Sequence, residues 1–530
     1  MAASNFKLLL SLFILSISIS STTSNNNDGF LQCFFSKVHH SNPIDNVIFT
    51  KNSSFYTSLL QSSIRNLRFS SSTSAPKPEF IITPYHESHV QATVICGTKN
   101  SMQVRVRSGG HDYEGLSYVA DVPFIIIDLV NLRSITVDID SESAWVEAGA
   151  ILGELYYKIA EKSSVHGFPA GSCPTVGVGG HISGGGFGTI FRKYGLAADN
   201  ILDAKLVNVN GKVLDRVSMG EDLFWAIRGG GGLSFGVILS WRIRLVPVPP
   251  SVTVFNIGKT LEQGAGELLQ KWQTVGSELH EDLFLHAVIE VAKTSSNGEN
   301  KTIKISFFSL FLGPAEKLVP LMQESLPGLG LELSNCTEMS WIESVLYFAG
   351  FSIKEPMDIL LNRTENFSGY FKAKSDYVKE PISESGLEGV WKTLLEDETS
   401  LLILTPYGGK MSEIGDSETP FPHRCGNLYK IQYLSSWYAE NETEEHIGWM
   451  RRLYDYMEPH VSKSPRAAYF NYRDLDLGTN IDTNSTGYEQ ASKWGLKYFK
   501  HNFKRLVAVK TRVDPHNFFR NEQSIPSLPS

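Results

Sequence analysis

The chain is poor in cysteine, carries no block of basic charge, and shows no internal repeat. Five cysteines in 530 residues (Cys33, Cys96, Cys173, Cys336 and Cys425) are too sparse for a disulfide-built scaffold, and none of their spacings matches a zinc site. No metal is expected. The formal charge is −8, and basic residues gather only in small groups such as Lys500-His-Asn-Phe-Lys-Arg505, read as a solvated face. That balance argues against a nucleic-acid partner. No GxGxxG stands at a strand–helix junction, so a nicotinamide-type Rossmann site is not expected. One apolar run, Leu8 to Ser20, is too short for a membrane anchor, and no other segment approaches spanning length.

What is present is an ordinary globular composition, 42% apolar and 20% charged, in a chain long enough for two domains. Lys7 followed by that short apolar run and small polar residues reads as a secretory signal over residues 1–24. Sequons at Asn52, Asn300, Asn335, Asn362, Asn366, Asn441 and Asn484 fit an exported glycoprotein, secreted to the cell exterior or wall, or alternatively vacuolar. A monomer is expected.

Residues 25–75 form an N-terminal segment with helical patterning around Phe55–Ile64. In residues 76–249, short β-branched runs alternate with helical patterns. Phe124–Val130 reads as a buried strand and Leu152–Lys162 as a helix. Val246-Pro-Val-Pro-Pro250 marks a boundary. Residues 250–470 mix strands such as Ile303–Phe311 with amphipathic helices such as Glu444–Met457. The mixture predicts an α+β domain with helices on one face of an antiparallel sheet.

Glycine is concentrated around two residues that carry chemistry. One stretch reads Arg107-Ser-Gly-Gly-His-Asp-Tyr-Glu-Gly115; the other reads Gly171-Ser-Cys-Pro-Thr-Val-Gly-Val-Gly-Gly-His-Ile-Ser-Gly-Gly-Gly-Phe-Gly188. Glycine at this density costs folding entropy, so the backbone must approach something closely or adopt positive φ. Bare amides make a cradle for phosphate, and here an imidazole and a thiol sit inside it. The pair points to a phosphate-bearing cofactor that is also covalently held.

These stretches resemble the plant berberine bridge enzyme-like family of FAD-linked oxidases, with a vanillyl-alcohol-oxidase (PCMH-type) flavin domain. The resemblance extends through Lys193–Asn200, Glu221–Gly232, Asn471–Gly478 and Asp514–Pro526, nearly the whole mature chain. It implies an α+β protein: a PCMH-type FAD-binding domain over 76–249, a substrate-binding domain over 250–470, and a C-terminal segment over 471–530 that returns to the flavin domain. It implies FAD bonded at its 8α-methyl by His111 and at C6 by Cys173. Arg107, Ser108, Gly109, Gly110 and Asp112 would flank the pyrophosphate on one side, with Gly179, Gly180, Ser183, Gly184 and Gly185 on the other. His181 is either a cofactor contact or a hydrogen-bonded core histidine. The resemblance also pairs Cys33 with Cys96, while Cys336 and Cys425 are expected as buried free thiols.

For the reaction, the resemblance selects Tyr472 as the base. A phenol titrates near pH ~10, so a nearby cation must favour the phenolate; Lys430 is preferred over Arg473. Tyr113 and Tyr194 are expected to line the cleft and Gln432 to bond substrate. Berberine-bridge-forming members carry a glutamate base at the Gln432 position, so the amide weakens an alkaloid-cyclising role. Valine at 176 implies space for dioxygen. The expected activity is therefore oxidation of a small hydroxyl-bearing molecule, a monolignol-type alcohol or an oligosaccharide, with O2 reduced to H2O2. Oxidative cyclisation or cycloaddition of prenylated phenols is the alternative within the fold. A non-catalytic glycoprotein is a third reading, disfavoured by the retained linkage residues.

Overall fold

The computed structural model describes residues 26–38, 45–70, 76–293, 300–364, 369–480 and 487–528. The expected signal segment and the sequons at Asn366 and Asn484 lie outside these residues. The other five sequon asparagines are exposed.

Two sheets build the first half. β1 (Ile48–Thr50), β2 (Phe80–Ile82), β3 (Gln103–Arg107) and β4 (Phe124–Asp128) form a sheet of order β1-β2-β4-β3, in which β4 lies parallel to both neighbours. All five residues of β4, Phe-Ile-Ile-Ile-Asp, are buried, as a central strand covered on both faces requires. β5 (Ile135–Asp138), β6 (Ser143–Glu147), β8 (Ile201–Val207), β9 (Val213–Leu214) and β10 (Val237–Arg244) form an antiparallel sheet of order β5-β6-β10-β8-β9. The short β7 (His166–Gly167) pairs with β11 (Val246–Pro247). The predicted helix after β6 spans Leu152–Ala160 and buries Leu152, Leu155, Tyr156 and Ile159.

The second half is one antiparallel sheet of seven strands: β12 (Val252–Thr260), β13 (Leu283–Lys293), β14 (Lys301–Phe311), β15 (Thr337–Met339), β16 (Tyr370–Val378), β17 (Ser400–Pro406) and β18 (Tyr429–Trp437). Their order is β15-β12-β14-β13-β17-β18-β16. Alternation along β18 explains its two faces. The odd-numbered residues turn to the helices: Tyr429 packs on Trp272 of the helix Ala265–Val275, and Tyr433 on Tyr454 of the helix Thr443–Tyr456. Those helices bury apolar stripes such as Leu268, Leu269 and Trp272. The opposite face of the sheet, carrying Gln432, Leu434 and Ser436, looks into a cavity.

The C-terminal segment returns to the flavin-domain half. Arg105 on β3 pairs with Glu522 at 2.8 Å, and the buried Lys510 donates to the Ser234 carbonyl at 2.7 Å. Four buried residues join that segment, β16 and the first half: Lys372 bonds Asp474 at 2.8 Å and Glu114, while Lys374 bonds Asp474 at 2.6 Å. Removing one member of such a network strands the rest in a low-dielectric interior, so the three parts are locked together. Cys33 and Cys96 form a disulfide with Cα atoms 5.7 Å apart, joining the N-terminal helix to the helix Glu87–Lys99. Cys336 and Cys425 are free thiols but not buried ones. Cys425 is exposed and Cys336 half-buried, because both fall in connections rather than in a packed element.

Candidate active site

The two glycine-rich stretches touch backbone to backbone. A Cβ on Gly109 would lie 2.3 Å from the Gly177 nitrogen, and one on Gly177 would lie 2.2 Å from the Gly109 nitrogen. Neither position has room for any side chain. Gly110 adds a left-handed φ of 74° against the Ser63 carbonyl. This contact brings His111 and Cys173 to one rim. His111 Nε2 lies 3.0 Å from the Thr175 hydroxyl, and Cys173 Sγ lies 3.6 Å from the same oxygen. Burial, helped by Arg65, pushes the His111 imidazole down to about 3. A neutral ring keeps the nitrogen lone pair that bonding to carbon requires. Cys173 is exposed.

Both residues open on a cavity of about 630 Å³ between the flavin-domain half and the seven-stranded sheet. Ser108, Gly109, Gly110, Asp112, Val176, Gly179, Gly180 and Ser183 all reach its wall. Two observations test whether a flavin dinucleotide suits these residues. A Cβ on Gly180 would meet nothing within 4 Å, so its bare backbone is open to a ligand. Arg473 donates Nε to Asp112 at 2.9 Å, while its Nη1 is buried without a hydrogen bond to any described residue. A stranded guanidinium donor beside bare backbone suits carbonyl or anionic oxygen. The residues fit the group.

The side chains expected to react gather beside the same cavity. Tyr472 stacks on Tyr113 with centroids 5.5 Å apart and planes 7° from parallel. Gln432, from the cavity face of β18, donates to the Tyr113 hydroxyl at 3.0 Å. Two residues before Gln432 on the same face, Lys430 points its ammonium group into aromatic rings. Nζ is 3.2 Å from the Phe187 centroid, 4.4 Å from that of Tyr472 and 4.6 Å from that of Tyr469. Among the described residues it has no hydrogen-bond acceptor. Burial holds this amine well below the usual lysine value; burial and the neighbouring phenols hold Tyr472 well above the usual tyrosine value.

Several expected site residues stand elsewhere. Arg107 does not reach the cavity: it is fully buried, bonded to Asp128 at 2.6 and 3.0 Å and to the Leu59 and Leu60 carbonyls. Its task is to anchor the N-terminal segment. Tyr194 is off the cavity wall as well, donating its hydroxyl to the Pro247 carbonyl. Lys430 lies behind the aromatic wall rather than on it. Gly184 and Gly185 make room for protein, not ligand, since a Cβ there would approach Asn471 at 2.0 Å and Phe421 at 3.2 Å. His181 lines the cavity, but its Nε2 accepts from the Gly171 amide at 3.1 Å, and burial lowers it to about 4. The geometry favours the core-histidine alternative.

Sequence reasoning missed Thr175, Phe187 and His286. Thr175 and Phe187 lie inside the quoted glycine motif and were overshadowed by its cysteine and glycines. His286 sits in an unremarked alternating strand, where nothing local marks it.

Comparison with known proteins gives two family matches: a FAD binding domain over residues 78–216, and a berberine and berberine-like domain over residues 468–526. The chain is 55% identical to a tetrahydroberberine oxidase of Berberis wilsoniae, covering 99% of this chain and 98% of that one. It is 53% identical to the monolignol oxidoreductase AtBBE-like 13 of Arabidopsis thaliana, covering 98% and 97%. Among solved structures, Phl p 4, a grass pollen allergen with glucose dehydrogenase activity, superposes with a TM-score of 0.89 at 45% identity, covering 94% of this chain and 100% of that one.

Proposed function

The chain belongs to the berberine bridge enzyme-like family of FAD-dependent oxidoreductases, and on that premise we propose that it oxidises the hydroxyl of an aromatic, monolignol-type alcohol to a carbonyl. His111 and Cys173 would tether FAD, which would supply the two-electron acceptor for the carbon-bound hydride, with O2 as the final oxidant, reduced to H2O2. Tyr472 removes the hydroxyl proton. Lys430 favours the phenolate from behind the ring, and Gln432 with Tyr113 orients the substrate oxygen. The observation carrying this reading is the juxtaposition of Lys430 with Tyr472, which lines the cavity that His111 and Cys173 open on.

The cavity wall supports an aromatic substrate over an oligosaccharide. Phe187, Phe284, Phe348, Phe371, Ile403 and Leu434 offer the apolar surface on which an aromatic ring packs. Valine at 176, on the cavity wall, supports access for oxygen. The disulfide and the exposed sequon asparagines support an exported glycoprotein.

A second reading comes from the 55% identity to a tetrahydroberberine oxidase: oxidation of a tetrahydroberberine. Anaerobic mixing with monolignols, oligosaccharides, prenylated phenols and a tetrahydroberberine separates the readings. Bleaching of the flavin by the monolignols is expected. Bleaching by the alkaloid alone would replace the first reading with the second.

A further inference from the structure

One polar side chain in the cavity has no part in the arrangement around Tyr472. His286 lies on the cavity face of β13, opposite Phe308 of β14. On its other side β13 pairs with β17, Ala287 with Leu404. Continuing that register by one residue sets His286 opposite Thr405, which itself pairs with Lys430 of β18. His286, Thr405 and Lys430 thus form one cross-strand row. At about 4.8 Å per strand, the His286 backbone is about 10 Å from that of Lys430.

The imidazole is framed edge-on by three phenylalanines. Its centroid lies 5.1 Å from Phe284, 5.3 Å from Phe308 and 6.3 Å from Phe348, with planes at 63°, 81° and 82°. The rings hold its plane but offer no hydrogen bond, and no hydrogen bond ties it to another described residue. Burial lowers its pKa to about 4, so at neutral pH the ring presents one N–H donor and one bare nitrogen acceptor. His286 is half-exposed on the cavity wall, so its ring nitrogens are open to an incoming group. Ile403 and Leu434 add apolar surface to the same wall.

Resting on the reading of the site as one for an aromatic alcohol, we propose that His286 is the second anchor of the substrate. It hydrogen-bonds a phenolic hydroxyl at the end of the molecule remote from the carbon oxidised near Tyr472. The cavity then recognises two oxygens separated by an apolar spine.

The test compares 4-hydroxycinnamyl alcohol with cinnamyl alcohol, which lacks only the distal hydroxyl. Binding is read as the absorbance change of the bound flavin, and anaerobic flavin reduction is followed separately. The wild-type holoenzyme is expected to favour the hydroxylated alcohol by about tenfold or more in Kd, the range of one buried hydrogen bond. His286→Phe is expected to abolish that preference and to leave cinnamyl alcohol within about threefold of wild type, while His286→Gln, which can still donate and accept, retains part of it. A wild-type enzyme that binds both alcohols alike overturns the inference without any variant, as does an equal loss on both alcohols in His286→Phe or His286→Gln. A wild-type enzyme that binds neither removes the proposed function, and this inference with it.

Discussion

The side-chain nitrogen of Lys430 stands 4.4 Å from the centre of the Tyr472 ring, buried and without a hydrogen-bond acceptor among the described residues. Neither residue is comfortable charged alone, since burial drives the amine down and the phenol up. A cation held over the Tyr472 ring favours the phenolate over the phenol. Lys430→Met leaves Tyr472 among apolar and phenolic neighbours only. A base acts in its deprotonated form, and loss of the cation raises the pH at which that form appears. The rising limb of the pH–rate profile should therefore move to higher pH, with a lower rate at pH 7. A profile unmoved by Lys430→Met would take the lysine out of the reaction.

The common contact of His111 and Cys173 with Thr175 leads to a prediction about tethering. Acid-precipitated wild-type chain should carry flavin by intact mass. His111→Ala and Cys173→Ala should each retain it through the other bond, and only the double variant should release it. Free flavin from either single variant contradicts two independent bonds.

Val176 lines the cavity beside the Cys173 loop, half-buried. Leucine adds one methylene, enough to fill a void of the size dioxygen needs without reaching Tyr472 or Gln432. Val176→Leu should leave anaerobic reduction nearly unchanged and slow reoxidation by oxygen, with artificial acceptors still working. Stopped-flow reoxidation as fast as in wild type would reduce Val176 to packing.

Arg107→Met should act on stability. It leaves the Asp128 carboxylate buried opposite an alkyl chain and unties the Leu59 and Leu60 carbonyls. Breaking a buried pair on one side costs about 3–5 kcal/mol. The melting temperature should fall while folded protein keeps its flavin. Unchanged stability with loss of flavin would restore Arg107 to the cofactor site.

These contrasts show what could be read along the chain. The strand Phe124–Asp128 and the helix Leu152–Ala160 were legible because their burial patterns are local. So was the need for bare backbone at Gly109 and Gly177, since glycine advertises close approach. Tyr194 and Arg107 stand beside motif residues, yet their side chains leave the motif for Pro247 and Asp128. Neighbourhood in sequence does not set direction. His286 acquires its place only from the register of β13 against β14 and β17, a non-local pairing that no periodicity within Leu283–Lys293 encodes. Cys425 read as buried because free cysteine usually is, but it falls in an exposed connection before β18.

The central claim is that Tyr472 removes a hydroxyl proton from an alcohol bound in this cavity. Anaerobic stopped-flow reduction of the flavin by 4-hydroxycinnamyl alcohol, in wild type and in Tyr472→Phe, tests it most directly. General-base catalysis contributes about 10²–10⁴-fold, so the variant should be slower by a factor in that range while its flavin spectrum is preserved. A Tyr472→Phe enzyme reduced as fast as wild type would contradict the account.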